Sequence, residues 1–260
     1  MQIDLNLLNE VAVEAGKAIL EIYDTGDFGV EMKSDNSPLT KADKAAHNVI
    51  VEYLDKYFVD IPILSEEGKN IPYEERKNWD KFWCVDPLDG TKEFIKRNGE
   101  FTVNIALIEN NYPVLGVIHI PVRGISYLGD EDRGAFIISK ERELKAIMTS
   151  TKYDEGIVAV KSRSHASDDD EEFFSRFNIA DSISIGSSLK FCLVAEGSAH
   201  IYKRSGPTME WDTAAGQAIV EAAGGVVLRD GKRFWYNKEE LLNPGFICAC
   251  NEKLVSWKYF

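Results

Sequence analysis

Apolar residues recur at helical spacing along the first stretch of the chain. Leu8, Val11, Ala12, Ala15, Ala18, Ile19 and Ile22 share one face, which predicts a helix from Asp4 to about Tyr23. Ala42, Ala45, Val49, Val51 and Leu54 predict a second helix from Thr40 to about Tyr57, after a loop at Asn36 to Pro38. The texture then changes to that of strands. "IPILSEEG" and "KFWCVDPLDG" read as short buried strands that end in acid. "FTVNIALIEN" and "YPVLGVIHI" are β-rich and joined by a turn in "ENNYP"; "GISYLGD" and "GAFII" continue the antiparallel series. Helices packed on a sheet are expected for this portion.

A different pattern begins near residue 150. "GIVAVKSRSH" is a strand that enters a polar loop, and "DDDEEFFSRF" opens a helix whose acids suit a positive N-terminus. "SISIGSSLKFCLVAEG" predicts a strand, a Gly-Ser turn and a helix. "AHIYKR" is a strand, "WDTAAGQAIVEAAGG" a helix closed by glycine, and "VVLRD" a strand. Alternation of strand and helix argues for an α/β arrangement. The expected division is an α+β portion over residues 1–150 and an α/β portion over 151–260.

Composition narrows the classes. A hydrophobic share of 44% in 260 residues supports a sizeable core. No apolar run approaches the ~20 residues of a membrane span, and "MQIDLNLLNE" lacks the basic-then-apolar pattern of a leader. A cytoplasmic protein is expected; the pattern leaves peripheral membrane contact and oligomeric state open. The net charge of −13 argues against a nucleic-acid surface. A small polyanionic substrate remains compatible if metal ions or a basic pocket invert the charge locally. Cys84, Cys192, Cys248 and Cys250 form no CxxC pair, and Cys248 and Cys250 alternate as same-face positions of a strand would. Core thiols, not a zinc site, are expected.

The chemistry gathers at the acidic ends. In "KFWCVDPLDG" the strand is expected to stop at Pro87, which has no N–H for a ladder. Asp86 and Asp89 would then project at a strand exit with the Leu88 carbonyl between them, and Gly90 would make the turn. Oxygen ligands of this kind suit a hard cation such as magnesium. A plain strand–turn–helix junction is the competing reading. "LSEEG" adds Glu66 and Glu67, otherwise solvated loop acids, and "EWDTAAG" adds Asp212, otherwise an ordinary helix cap. In "PLTKADKA", Thr40 and Asp43 have capping-box spacing.

"SEEG" before "VDPLDGTKEF", then "GSSLKFCLVAEGSAHIY", then "EWDTAAGQAIVEAAGG", resembles the inositol monophosphatase superfamily of magnesium-dependent, lithium-sensitive phosphatases. Within it, "KSRSH", "GSSLKFCLVAEG" and "LNPGF" look most like the bacterial 3'(2'),5'-bisphosphate nucleotidases of sulfur assimilation. The resemblance implies a layered α/β/α/β/α sandwich and two or three Mg2+ ions. It implies metal ligands at Glu66, Asp86, the Leu88 carbonyl, Asp89 and Asp212. It gives Glu66 and Thr91 the attacking water and Asp43 the orientation of Thr91, so the capping box and the functional reading compete at Asp43. Substrate contacts fall to Gly90, Thr91, His165, Ser187, Lys190, Arg204 and Asp212.

Hydrolysis of a phosphate monoester wants such a set, because anionic oxygens repel a nucleophile and one carboxylate cannot hold two divalent cations. A phosphoaspartyl enzyme built on Asp86 is the alternative mechanism, but Pro87 and a one-residue excess separate "DPLDGT" from a D-x-D-G-T motif. Residues 182–206 hold three cations, Lys190, Lys203 and Arg204, against Glu196 alone, which suits a second phosphate. The resemblance implies adenosine 3',5'-bisphosphate as the substrate. Inositol monophosphate and fructose 1,6-bisphosphate are the alternatives, and a non-catalytic metal-binding protein is the reading from another class.

Overall fold

A computed structural model describes residues 3–33, 38–163 and 168–256. Helix α1 (Leu5–Thr25) is capped by the Asp4 side chain, which accepts from the Asn6 N–H. A two-residue ribbon, β1 (Glu31–Met32) with β2 (Pro38–Leu39), leads to α2 (Lys41–Tyr57). β3 (Ile63–Ser65), the short α3 (Tyr73–Arg76), β4 (Lys81–Asp89) and α4 (Thr91–Ile95) follow. Then come β5 (Thr102–Glu109), β6 (Tyr112–Ile120), β7 (Ile125–Asp130), β8 (Gly134–Ile138) and β9 (Leu144–Ile147). β3 to β9 form a seven-stranded sheet in chain order, antiparallel except for the β3–β4 pair.

The second sheet comprises β10 (Ile157–Ser162), β11 (Ile179–Ile185), β12 (Ile201–Arg204), β14 (Val226–Arg229), β15 (Lys232–Arg233) and β17 (Phe246–Ala249). Its order is β11-β10-β12-β17-β14-β15. Helices α5 (Asp168–Phe174), α6 (Leu189–Ala195) and α7 (Glu210–Ala222) lie between these strands in sequence, and β13 (Thr208–Met209) pairs with β16 (Leu242–Asn243).

Three apolar clusters define the layers. α1 and α2 cover one face of the first sheet through Leu8, Ile19, Ile50 and Leu54 against Trp83, Ile105 and Val117. α6 and α7 fill the space between the sheets, with Phe191, Ile219 and Val220 among Phe82, Ile118, Tyr202 and Cys248. α5 and the C-terminal segment cover the outer face of the second sheet through Phe173, Phe174, Leu254 and Val255. The result is the expected α/β/α/β/α sandwich. Burial on both faces explains why β5 reads as an almost continuous apolar run. α7 lies close on the first sheet because a Cβ at Gly116 or Gly129 would stand 2.7 Å from the Ala215 carbonyl or 2.5 Å from the Ile219 Cα. No helix among the described residues is long and apolar enough to cross a membrane.

Two expectations need correction. β4 does not stop at Pro87: it runs on to Asp89, with the register passing from Asp86 opposite Asn104 to Asp89 opposite Thr102. Three steps on β4 match two on β5, and this bulge absorbs the residue that lacks an N–H. Cys248 and Cys250 do not share a face. β17 ends at Ala249, so Cys248 joins the inter-sheet core and Cys250 the outer cluster. All four thiols are free and buried.

Candidate active site

Two strand ends and one helix end bring the acids together. Parallel pairing sets Ser65 beside Val85, so the next residues, Glu66 and Asp86, emerge side by side. α7, pressed on the sheet at its glycines, brings Asp212 in from the inter-sheet layer. Its first turn is fastened by the buried Glu210, which accepts from the backbone N–H groups of Asn237 and Lys238. One carboxylate oxygen each from Glu66, Asp86 and Asp212 lies within 4.8 Å of the others. Asp89, Leu88, Gly90, Thr91, Ser187, Lys190 and Arg204 line the same cleft, whose volume is about 280 Å³.

The electrostatics favour a cation. Asp86 is buried, and burial together with Glu66, Asp89 and Asp212 drives its carboxyl well above the usual range. Burial, then Asp89 and Glu66, does the same to Asp212. Glu66 is also raised by burial, with Lys33 opposing the shift. The donor set is all oxygen and anionic, which fits a hard divalent cation and not a soft one. Lys33, a residue with no signal in the sequence, places its ammonium 2.7 Å from Glu66 and 2.5 Å from Glu67. Glu66 is thus a paired, half-buried acid and not a solvated one.

At Asp43 the capping box forms, and the second carboxylate oxygen reaches Thr91. Oδ2 accepts from the Thr40 N–H at 2.7 Å and the Thr40 hydroxyl at 2.6 Å, closing the capping box. Oδ1 accepts from the Thr91 hydroxyl at 3.2 Å. Gly90, in the left-handed region at φ 91°, makes the corner between β4 and α4 that presents Thr91.

On the opposite wall, Arg204 donates to Ser162 Oγ at 3.1 Å and to the Pro207 carbonyl at 3.0 Å, while its buried Nε has no partner. Lys190 sits in the first turn of α6 but points inward. Its ammonium donates to the Ser187 carbonyl at 2.5 Å, and burial lowers its pKa to about 8. Ser187 takes φ 53°, and its hydroxyl lies 2.8 Å from Thr102 Oγ1. His165 lies outside the described residues. Besides Lys33, two contributors went unnoticed in the sequence, Ser188 and Asn104. Asn104 carried a signal, being the polar residue within the apolar run "FTVNIALI".

The fold and this acidic cleft are those of a metal-dependent phosphatase class, and the chain belongs to the inositol monophosphatase family, whose sequence model matches residues 3–255. Among its relatives, the 3'(2'),5'-bisphosphate nucleotidase CysQ of Shigella flexneri is 47% identical over 245 residues, 93% of this chain and 98% of that protein. The crystal structure of CysQ from Bacteroides thetaiotaomicron superposes with a TM-score of 0.82 at 46% identity, covering 94% of this chain and 96% of that one. The Thermotoga maritima IMPase superposes with a TM-score of 0.79 at 25% identity, covering 98% and 94%.

Proposed function

We propose that this protein is a magnesium-dependent 3'(2'),5'-bisphosphate nucleotidase that removes the 3'-phosphate from adenosine 3',5'-bisphosphate to leave AMP, with the sulfated nucleotide as a further substrate. The observation that carries this reading is the convergence of Glu66, Asp86 and Asp212 within 4.8 Å in a cleft whose far wall holds Arg204. The near-full-length similarity to nucleotidases named CysQ supports the choice of substrate over inositol phosphates.

Glu66, Asp86, Asp89, Asp212 and the Leu88 carbonyl would hold the magnesium ions. Bound magnesium supplies charge neutralisation of the phosphate and a lowered pKa for a coordinated water. Asp43 acts as an acceptor throughout, because one N–H and two O–H groups point at it. The Thr91 hydroxyl has two acceptors, Asp43 Oδ1 at 3.2 Å and the Leu88 carbonyl at 3.4 Å, so its proton points to the protein and its oxygen is left to accept from the attacking water. That hydrogen bond turns a water lone pair toward phosphorus, with Glu66 as the second group positioning it. No side chain becomes phosphorylated. Arg204 and Lys190, which line the far wall of the cleft, are the cations that would face the 5'-phosphate.

The test is phosphate release with magnesium from adenosine 3',5'-bisphosphate, inositol monophosphate and fructose 1,6-bisphosphate, side by side. The nucleotide should give the highest kcat/KM, and excess chelator should abolish turnover. Preference for inositol monophosphate would overturn the substrate assignment, and turnover in chelator would overturn the metal chemistry.

A further inference from the structure

Asp89 is held unlike the other acids of the cleft. Its Oδ2 accepts twice from one residue, from the Ser188 N–H at 2.6 Å and the Ser188 hydroxyl at 2.7 Å. The Ser188 oxygen accepts in turn from Asn104 Nδ2 at 2.9 Å. Asn104 Oδ1 accepts from the Thr102 hydroxyl at 2.9 Å, which orients the amide with its N–H toward Ser188. Thr102, Asn104 and Ser188 are each at most 2% exposed, so water does not substitute for these partners. The Asp212 carbonyl, 2.9 Å from Ser188 Oγ, competes for the one serine proton. An ionised acceptor makes the stronger bond, so the proton belongs to Asp89.

This chain starts on β5 of the first sheet, crosses to the loop before α6 and ends on a carboxylate of β4. It occupies one oxygen of Asp89 and leaves Oδ1 for a cation. Calcium takes six to eight oxygen ligands and accepts carboxylates in bidentate fashion, whereas magnesium demands octahedral geometry with shorter bonds. Tying up Oδ2 denies Asp89 the bidentate mode. We propose that Ser188, its hydroxyl set by Asn104, is a positioning residue that confines Asp89 to coordination through one oxygen and so biases the metal centre toward magnesium over calcium. The proposal rests on the reading of the cleft as a magnesium site.

Calorimetric titration of the full chain with Mg2+ and with Ca2+ tests it without recourse to turnover. Removal of such an outer partner costs about 10- to 100-fold in metal affinity. Ser188→Ala should weaken Mg2+ by about tenfold and Ca2+ by much less, so that the Mg2+/Ca2+ affinity ratio falls. Ser188→Thr, which keeps the hydroxyl, should restore the ratio. Asn104→Asp, nearly isosteric, draws the serine proton away from Asp89 and should lower the ratio even if Ser188→Ala does not fold. An unchanged ratio in these variants, beside a wild type that binds Mg2+, would overturn the proposal alone. A wild type that binds no Mg2+ would overturn both the proposal and the metal reading beneath it.

Discussion

The two oxygens of Asp43 have separable tasks. Oδ2 closes the start of α2 and Oδ1 fixes the Thr91 hydroxyl, so the tasks can be tested apart. Thr40→Ala removes the cap and should cost about 1 kcal/mol of stability with little change in kcat. Thr91→Ala leaves the cap and should lower kcat by about 10²-fold or more, the usual worth of a group that handles the reacting proton. Thermal unfolding and steady-state rates on the same samples check both. Asp86 behaves differently. It was expected at a strand exit, but it lies within β4 and is 1% exposed. Burial and the neighbouring acids raise its folded-state pKa well above that of the unfolded chain. The folded protein then holds a proton that the unfolded chain has released, so stability without metal falls as pH rises from about 4 through the raised value. Asp86→Asn should abolish turnover and yet raise the melting temperature in chelator at pH 7.5, with the gain shrinking at pH 5.5. A lower melting temperature at both pH values would contradict this account. The acids themselves were legible in the sequence because glycine and proline stand beside them in turn-like segments, even though Asp86 lies inside β4. Lys33 was not legible, since an isolated lysine in a loop carries no pattern, and only the fold places it on Glu66.

At the scale of elements, the position of α7 decides whether Asp212 reaches the cluster. Nothing in "WDTAAG" says how closely the helix lies on the sheet; that is set by Gly116 and Gly129, two glycines on strands remote in sequence. A Cβ at either would meet α7 backbone, which cannot swing aside as a side chain can. Gly129→Ala should therefore cost about 1–3 kcal/mol, as overpacking does. It should also weaken Mg2+ binding, because the helix must move with Asp212 on it. Chemical denaturation and metal titration together test this; lost stability with unchanged metal affinity would show that α7 tilts elsewhere. The same scale explains the misread strand. Proline forbids a ladder hydrogen bond, which from sequence alone means a strand end, but a bulge satisfies the constraint while the strand continues. Tertiary pairing with β5 made the choice. Helix boundaries at α1 and α2 were legible to within two residues because amphipathic spacing and side-chain caps coincide there.

Across the whole molecule, the cleft joins acids carried mostly by the first sheet to cations carried by β12 of the second sheet and by α6. That separation lets a substrate with two phosphates be read at both ends, within a chain of net charge −13. Arg204 is the sharper probe of the far end. It lies at the end of β12, 6% exposed, with two of its nitrogens on Ser162 and Pro207 and Nε without a partner. If it grips the 5'-phosphate, it does so in the ground state and the transition state alike, because that phosphate does not react. Loss of such uniform binding raises KM with little change in kcat. A hydrogen bond to a charged group is worth roughly 1.5–3 kcal/mol, or about one to two decades. Arg204→Ala should thus raise KM for adenosine 3',5'-bisphosphate by that factor and leave KM for a 3'-monophosphate nearly unchanged. Lys190→Ala should behave less cleanly, because its ammonium also secures the Ser187 carbonyl of the loop that carries Ser188. Both substrates should suffer there, through the loop and through Asp89. Equal losses on the two substrates in Arg204→Ala would mean that the arginine supports the fold of the far wall and does not read the second phosphate.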